Sequence, residues 1–352
     1  MADWRTNLLA WYDANKRDLP WRNINDPYKI WLSEVILQQT RVNQGWEYYL
    51  RFIEKYPTVA SLASAPEHDV LKLWQGLGYY SRARNIHAAA QSVVKNHKSK
   101  FPADYNSIRA LKGVGDYTAG AISSIAFNLP YPAVDGNVMR VYSRLFGITT
   151  PVDSTEGRKK IYETAVELLP AKNPGTYNQA VMELGAMVCL PAKPDCLNCP
   201  VRDACYAFSH KKVTEFPVKQ GKTKVRNRYL NYLVITNSDK ILIRERKTKD
   251  IWKGLHDFPL VESEKPVQET KFVKDKKWED AIHILKPVIK EISEEYVHVL
   301  SHQKLFARFY HIESAKKPTT IPTDCFWIKM KDLENYAVPK LIDLYIRKKF
   351  VK

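Results

Sequence analysis

The stretch LKGVGDYTAGAI, residues 111–122, places two glycines two positions apart, directly before apolar residues with helical spacing. Glycine accepts backbone conformations with positive φ and leaves its N–H group uncovered. The first turn of the following helix adds unpaired N–H donors and the positive end of the helix dipole. Together these features suit a bound phosphate group. An ordinary tight turn between two helices fits the same residues, and the pattern alone leaves both interpretations open.

The charge of the chain favours a polyanionic partner. The 352 residues carry a formal net charge of +17, of which residues 1–215 contribute +6 and residues 216–352 contribute +11. Basic domains are typical of nucleic-acid binding, although high solubility or an acidic protein partner would explain the same charge. No apolar run is long enough to span a bilayer, and the N-terminus lacks the apolar core of a signal peptide. We therefore expect a cytoplasmic monomer without membrane contact, associated with the nucleoid if the source is bacterial.

Four of the five cysteines lie close together, with six, two and five residues between them: Cys189, Cys196, Cys199 and Cys205. In a chain without a secretion signal, such a cluster indicates metal ligands rather than disulfides. Four thiolates in a compact loop suit either structural zinc or an iron–sulfur cluster, and ligand softness does not distinguish them. The fifth, Cys325, is expected to be a small buried apolar side chain.

Hydrophobic spacing divides the chain into two parts. Over residues 3–208, apolar residues recur at three- and four-residue steps, with Asp, Asn or Pro at the starts of the runs, which predicts helices. Residues 216–228 are polar and basic and are predicted to be a linker. The spacing then approaches two, which is typical of strands. The predicted elements are a hairpin turning at 237–239, strands at 298–312 and 325–330, and helices at 278–292 and 338–350. The sequence thus predicts an all-α domain over 1–215 and an α+β domain over 229–352.

Two acidic residues of the helical part are candidates for catalysis. The helical neighbours of Glu34 are apolar: Ile30, Trp31 and Leu37. Burial among them would raise the pKa of the carboxyl group and suit a general acid near neutral pH. Asp135 precedes another helical run, where its side chain could simply cap the helix. A pair of carboxylates is nevertheless the usual equipment for breaking a glycosidic bond.

Several motifs resemble those of helix-hairpin-helix DNA base-excision glycosylases. Residues 111–122 are similar to their hairpin, and VDGNVMRV, residues 134–141, is similar to their loop with the catalytic aspartate. Three further stretches resemble the adenine DNA glycosylase, or MutY, family: LPWR (19–22), WLSEVILQQTRV (31–42) and QGLGYYSRARN (75–85). The second domain resembles that family's Nudix-like domain, through WKGLHDFPL (252–260) and LSHQKL (300–305). It lacks an intact Nudix box, so we do not expect it to hydrolyse nucleotides.

This resemblance implies an enzyme that flips adenine out of duplex DNA and hydrolyses its glycosidic bond, where adenine lies opposite 8-oxoguanine or guanine. It also implies a [4Fe–4S] cluster on the four cysteines of a loop at 189–205. Glu34 would protonate adenine, and Asp135 would stabilise the sugar cation or attack it. The implied residues form three groups: the catalytic residues Glu34, Asp135, Tyr117 and Asn137; the adenine pocket of Trp21, Arg22, Leu37 and Glu183; and the DNA- and lesion-binding residues Gln39, Thr40, Leu77, Tyr79, Gly113, Gly115, Ser301 and His302.

The chain departs from the family pattern at two of these motifs, and two alternative functions stay open. Lys112 stands where the hairpin usually has proline, and Leu300 where the family has phenylalanine before the serine. Tyr117 occupies the position at which lyase relatives carry a Schiff-base lysine, so we predict a monofunctional enzyme. The alternatives are a bifunctional glycosylase and lyase of the endonuclease III type, and a non-catalytic iron–sulfur DNA-binding protein. Retention of both Glu34 and Asp135 argues against the second.

Overall fold

The computed structural model describes residues 3–221, 225–267, 288–314 and 321–350. It divides into two compact units: residues 1–64 with 85–221, and residues 65–84 with 222–352. The sequence-based division differs from this one at residues 65–84, which it assigned to the helical domain. Within the described ranges, no helix combines the length and the apolar character needed to cross a bilayer.

Helices account for nearly all the regular structure before residue 221, as the spacing of apolar residues predicts. They are α1 (Trp4–Asn15), α2 (Pro27–Leu37), α3 (Val42–Lys55), α4 (Val59–Ser64), α5 (Glu67–Leu73), α6 (Ser81–His97), α7 (Tyr105–Arg109), α8 (Asp116–Phe127), α9 (Gly136–Phe146), α10 (Thr155–Leu168), α11 (Pro174–Met187) and α12 (Tyr206–Ser209). Several begin at side-chain caps. The Asp26 carboxylate, for example, accepts the N–H groups of Tyr28 and Lys29 at the start of α2, which satisfies donors that have no partner within the helix.

Helices α1, α9, α10 and α11 share one apolar core in the helical unit. Its fully buried members include Tyr12 of α1, Ile161 of α10, and Tyr177 and Val181 of α11. Helix α8 packs against both α2 and α11. This packing fixes the first turns of α8 and α9 relative to α2, and those turns carry the predicted site residues.

The second unit is built on a mixed sheet. Its strands are β1 (Arg226–Asn237), β2 (Lys240–Glu245), β3 (His256–Asp257), β4 (Leu260–Ser263), β5 (Val288–Ile292), β6 (Tyr296–Val299), β7 (Gln303–Glu313) and β8 (Cys325–Lys329), and α13 (Lys340–Phe350) follows them. Strands β1 and β7 pair in parallel along their whole length, and the other described pairs are antiparallel. Helix α13 covers one face of the sheet through Leu341, Ile342 and Tyr345.

The structure bears out most of the predicted elements of this unit and corrects two. The single strand predicted over 298–312 is in fact two strands, β6 and β7, with a turn between them. Asn237 pairs with Lys240, so the hairpin turns where the sequence predicts. The helix predicted over 278–292 is wrong at its C-terminal end, because residues 288–292 form β5 and pair with β7. Its remaining residues, 278–287, lie outside the described residues. Pairing with a distant strand overrides the local helical spacing at this position.

Candidate active site

The helical unit contains a cavity of about 900 Å³ between α2, α8, α9 and α11. Ten of the predicted site residues line it: Trp21, Arg22, Glu34, Leu37, Gln39, Thr40, Tyr117, Asp135, Asn137 and Glu183. They come from segments up to about 160 residues apart in the chain. The fold therefore gathers the predicted acids and the predicted base pocket around one space.

Glu34 lies on the buried face of α2, with only 9% of its surface exposed. Burial raises the pKa of its carboxyl group to about 7, and the negative charge of Asp135 contributes to the rise. A hydrogen bond from the Tyr117 hydroxyl to Oε2 and the positive charge of Arg22 act in the opposite direction. Glu34 is therefore protonated in a large share of molecules at neutral pH, as the apolar neighbours in the sequence predict.

Tyr117 is the second residue of α8 and points from its first turn to Glu34. Its hydroxyl also lies 3.7 Å from Sδ of Met182. Burial, together with the nearby carboxylates of Glu34 and Asp135, holds the pKa of the phenol well above its usual value. Tyr117 therefore stays a neutral hydrogen-bond donor that fixes the orientation of the Glu34 carboxyl group.

Asp135 is the N-cap of α9 and lines the cavity at the same time. Its Oδ1 accepts the backbone N–H of Val138 at 2.8 Å, and its Oδ2 accepts Nδ2 of Asn137 at 2.7 Å. Burial raises the pKa of Asp135, while these hydrogen bonds oppose the rise by stabilising the carboxylate. The capping interpretation is thus correct, and the same carboxylate also lines the cavity, while its catalytic role stays a prediction.

Asn137 contacts the carboxylate of Asp135, the guanidinium of Arg140 and the backbone at Gly185. Its Oδ1 accepts Nη2 of Arg140 at 2.8 Å. A Cβ atom at Gly185 of α11 would lie 2.6 Å from Cβ of Asn137, so only glycine lets the two helices approach this closely. This contact fixes Asn137 in the orientation that donates to Asp135.

Glu183 is almost completely buried on α11 and is paired with two arginines. Arg17 donates to it through Nε at 2.8 Å and through Nη2 at 2.7 Å, and Arg22 donates through Nη1 at 3.0 Å. Burial alone would raise the pKa of Glu183, but the hydrogen bonds from both arginines outweigh it and lower the pKa to about 2. Sequence reasoning missed Arg17, although it lies only five residues before Arg22 in the same basic stretch.

The two glycines of the hairpin before α8 have different backbone conformations. Gly113 has φ of +81°, and a Cβ atom there would lie 2.7 Å from Cβ of Asn85. Gly115 has φ of −95° and needs no positive φ, but the space where its Cβ would stand is open. Arg109 supports the turn by donating to the carbonyl of Val114 at 3.0 Å. The sequence argument from positive φ therefore holds for Gly113 and is wrong for Gly115.

The four clustered cysteines surround a second, smaller cavity of about 30 Å³. Arg144 donates to Sγ of Cys189 at 3.3 Å. Burial, together with the neighbouring thiols, raises the pKa of Cys199 to about 12. Among the described residues, no group of three or more His, Cys, Asp or Glu side chains is placed to hold a single metal ion. Cys325 belongs to the other unit and is buried, as predicted.

Four of the predicted DNA-binding residues belong to the second unit and are not among the residues that line the cavity. Ser301 and His302 are exposed in the turn between β6 and β7. Tyr79 is 46% exposed and its hydroxyl forms a hydrogen bond with Oγ of Ser301. Leu77 is only 7% exposed and is part of the core, which leaves little of its side chain for the DNA contact that the resemblance implies. The fold thus brings a predicted wedge residue and a predicted lesion reader into contact.

Comparisons with known proteins agree with this arrangement. Residues 32–171 match the family described as HhH-GPD superfamily base excision DNA repair protein, and residues 231–348 match the NUDIX domain family. The adenine DNA glycosylase of Buchnera aphidicola from Schizaphis graminum is 30% identical, over 95% of this chain and 94% of the relative. The mouse adenine DNA glycosylase is 33% identical, over 95% of this chain and 75% of the relative.

The chain belongs to the adenine DNA glycosylase family. It is a hydrolase of base excision repair that removes adenine from DNA. The structure of a thermostable thymine-DNA glycosylase aligns with a TM-score of 0.54 and 28% sequence identity, over 58% of this chain and 95% of that chain. An adenine DNA glycosylase thus shares its fold with an enzyme named for a different base, so base choice must come from side chains.

Proposed function

We propose that this adenine DNA glycosylase acts on adenine opposite 8-oxoguanine or guanine in duplex DNA and hydrolyses the glycosidic bond without cutting the strand. The observation that carries the proposal is the buried pair of Glu34 and Asp135 on one cavity, with the pKa of Glu34 raised to about 7. Two carboxyl groups in different environments supply an acid and a stabilising anion at the same pH.

The cavity has the shape and chemistry to hold a flipped adenine. Its volume of about 900 Å³ exceeds that of a nucleobase, which leaves room for the sugar. Trp21 and Leu37 offer apolar surface, while Arg22 and Glu183 offer hydrogen-bond donors and acceptors to the edge of the base. Because Arg17 and Arg22 already hold Glu183, these groups are oriented before the base arrives.

In the proposed reaction Glu34 gives its proton to adenine and makes the base a neutral leaving group. The glycosidic bond breaks, and positive charge develops on the sugar. Asp135 faces that charge as a carboxylate held by Asn137 and the N–H of Val138, and it stabilises the charge in place. Water then adds to the sugar and gives up a proton, which the Glu34 carboxylate takes back. Tyr117 keeps the Glu34 carboxyl group oriented throughout.

Recognition of the opposite base is assigned to the exposed turn with Ser301 and His302, next to Tyr79. A serine hydroxyl both donates and accepts hydrogen bonds, so it can respond to the altered edge of 8-oxoguanine. Gly113 and Gly115 are both exposed, and the space beside Gly115 is open, so a phosphate can approach the backbone of the hairpin there.

The test of the proposed substrate compares single-turnover excision from four duplexes: adenine opposite 8-oxoguanine, adenine opposite guanine, thymine opposite guanine, and an oxidised pyrimidine. We expect excision from the first two, with the first faster, and none from the others. Ser301→Ala should narrow the ratio of the first two rates by about 3- to 10-fold, the value of one hydrogen bond. Preferred release of an oxidised pyrimidine would instead support the endonuclease III alternative.

Strand cleavage is tested by reduction with borohydride. A lyase forms a Schiff base between a lysine and the sugar, and borohydride traps it as a covalent adduct. Because Tyr117 holds the position that the lyase lysine takes in relatives, we expect almost no trapping and an intact abasic strand. Tyr117→Lys serves as the matched comparison and should increase trapping. Efficient trapping by the unmutated protein that disappears in Lys112→Ala would contradict the monofunctional mechanism.

We also propose that Cys189, Cys196, Cys199 and Cys205 hold a [4Fe–4S] cluster. The four thiols line one small cavity, and an arginine donates to one of the sulfurs, which suits a cationic group bound by thiolates. The resemblance of the cysteine loop to that of the endonuclease-type glycosylases favours the iron–sulfur cluster over zinc. The cluster would stabilise the loop, in which Lys193 and Arg202 can meet the DNA backbone.

Protein purified without oxygen should be yellow-brown and contain about four iron atoms per chain, as the cluster formula requires. Cys199→Ser should lose iron and weaken DNA binding, because the loop loses a ligand that ties it together. Cys325→Ser is the matched control and should keep both, since Cys325 lies in the other unit. A colourless protein with one zinc per chain would overturn the assignment.

A further inference from the structure

Residues 65–84 belong to the same compact unit as the sheet and α13, although they lie far from them in the chain. Gln75 makes the central contact. Its Nε2 donates to Oδ1 of Asp343 in α13 at 3.0 Å, and its Oε1 accepts the backbone N–H of Val338 at 3.3 Å. One amide side chain therefore holds both a charged group and a backbone group that lie more than 260 residues away.

Three further hydrogen bonds reach from this segment to the backbone of the second unit. Tyr80 donates to the carbonyl of Val338 at 3.3 Å, Lys72 donates to the carbonyl of Tyr336 at 3.2 Å, and Arg84 donates to the carbonyl of Lys253. Donors on both sides of residues 76–79 thus bind backbone carbonyls. The ends of this short loop are fixed, which limits where its tip can point.

The loop at 76–79 has a backbone that needs such support. Tyr79 has φ of +47°, which is unfavourable for a residue with a large side chain, and Gly78 has φ of +75°. Non-glycine residues keep this conformation only where surrounding contacts enforce it. Trp74 contributes by donating to the carbonyl of Gly78 at 3.0 Å. At the tip, the exposed Tyr79 side chain forms its hydrogen bond with Ser301.

We propose that Gln75 and Asp343 are positioning residues that hold the Tyr79 loop against the turn with Ser301. The wedge and the lesion reader then act as one rigid element, and α13 takes part in lesion discrimination without contacting DNA. This inference rests on the proposed discrimination between 8-oxoguanine and guanine. The inference extends that proposal, because it assigns part of the specificity to a hydrogen bond outside the exposed turn.

The experiment measures single-turnover excision of adenine opposite 8-oxoguanine and opposite guanine at saturating enzyme. Gln75→Ala and Asp343→Ala should each reduce the ratio of the two rates by about 3- to 10-fold, the value of one ordinary hydrogen bond. The rate opposite guanine should stay within about twofold, because the cavity of the helical unit is unchanged. Arg347→Ala is the matched control, since Arg347 contacts Asp343 but no residue of the loop.

Two combined variants separate positioning from a general loss of structure. Gln75→Glu alone sets two carboxylates against each other and should reduce the ratio. Adding Asp343→Asn should restore the ratio of the two rates. The amide at position 343 can then donate to the carboxylate at position 75, and the N–H of Val338 keeps its acceptor. In a Tyr79→Phe background, Gln75→Ala should cause no further loss, since the contact with Ser301 is already gone.

Each result decides the proposal. If unmutated protein discriminates but Gln75→Ala discriminates equally well, the inference fails and the proposed function stands. Equal losses on both duplexes, or no rescue by the paired change, would show that the contact only stabilises the unit. If unmutated protein excises adenine equally from both duplexes, the proposed discrimination fails, and the positioning role fails with it.

Discussion

Glu34→Gln is expected to lower the single-turnover rate of adenine excision by about 10²- to 10⁴-fold, the usual contribution of a positioned general acid. Glutamine has almost the same shape as glutamic acid and can still accept the hydrogen bond from Tyr117. The fold and the affinity for the lesion duplex should therefore stay unchanged. The measurement is the rate of abasic-site formation at saturating enzyme, with DNA affinity and the free energy of unfolding as controls.

The dependence of the rate on pH offers a second test of the same group. Glu34 must carry its proton to act, and burial raises its pKa to about 7. The rate should fall at low pH, where Asp135 takes up a proton and loses its stabilising charge. It should also fall by about tenfold per pH unit above about 7, where Glu34 loses its proton. The residual rate of Glu34→Gln should lack this fall. A variant with near-normal excision, or with an unchanged pH profile, would show that another group is the acid.

Asp135→Asn is expected to lower the excision rate by about 10²- to 10³-fold, because a stabilising charge next to the sugar cation is removed. Asparagine is as good an N-cap as aspartate, so it can keep the bond from the N–H of Val138. The free energy of unfolding should then fall less than in a variant that loses the cap. The loss of rate reports on the charge together with the hydrogen bond that Asn137 donates to Oδ2, because the new amide nitrogen cannot accept it.

Asp135→Ala is the comparison that removes both properties. It should lose the same catalytic contribution and also about 1 kcal/mol of stability, the typical cost of a lost helix cap. Urea unfolding of the two variants, alongside single-turnover excision, separates the two roles. If Asp135→Asn excised adenine normally while Asp135→Ala did not, the residue would be only a cap.

Local sequence features were sufficient to predict much of the site. Glu34 could be found because its neighbours at helical spacing are apolar, so burial followed from periodicity. Asp135 could be found because a helix start needs a cap, and its carboxylate indeed accepts the N–H of Val138. In both cases the neighbours on which the prediction depends lie within four positions along the chain.

Features that depend on distant contacts could not be predicted in the same way. The pairing of Arg17 with Glu183 joins residues 166 positions apart, and neither residue's neighbours indicate the other. The spacing of apolar residues over 65–84 predicts ordinary helices, and nothing in it indicates that they pack with the second unit. Strand β5 likewise depends on β7 as its partner. Local spacing determines the type of most elements but not the surfaces against which they pack.

Because the Asp135 carboxylate both caps α9 and lines the cavity, substitutions at this position differ in how much folded enzyme a cell retains. Because asparagine preserves the helix cap, a cell carrying that change would accumulate a well-folded but inactive enzyme instead of degrading it. Alanine at the same position would produce a less stable protein that is removed sooner. Two changes with the same loss of activity would then differ in the amount of enzyme that the cell retains.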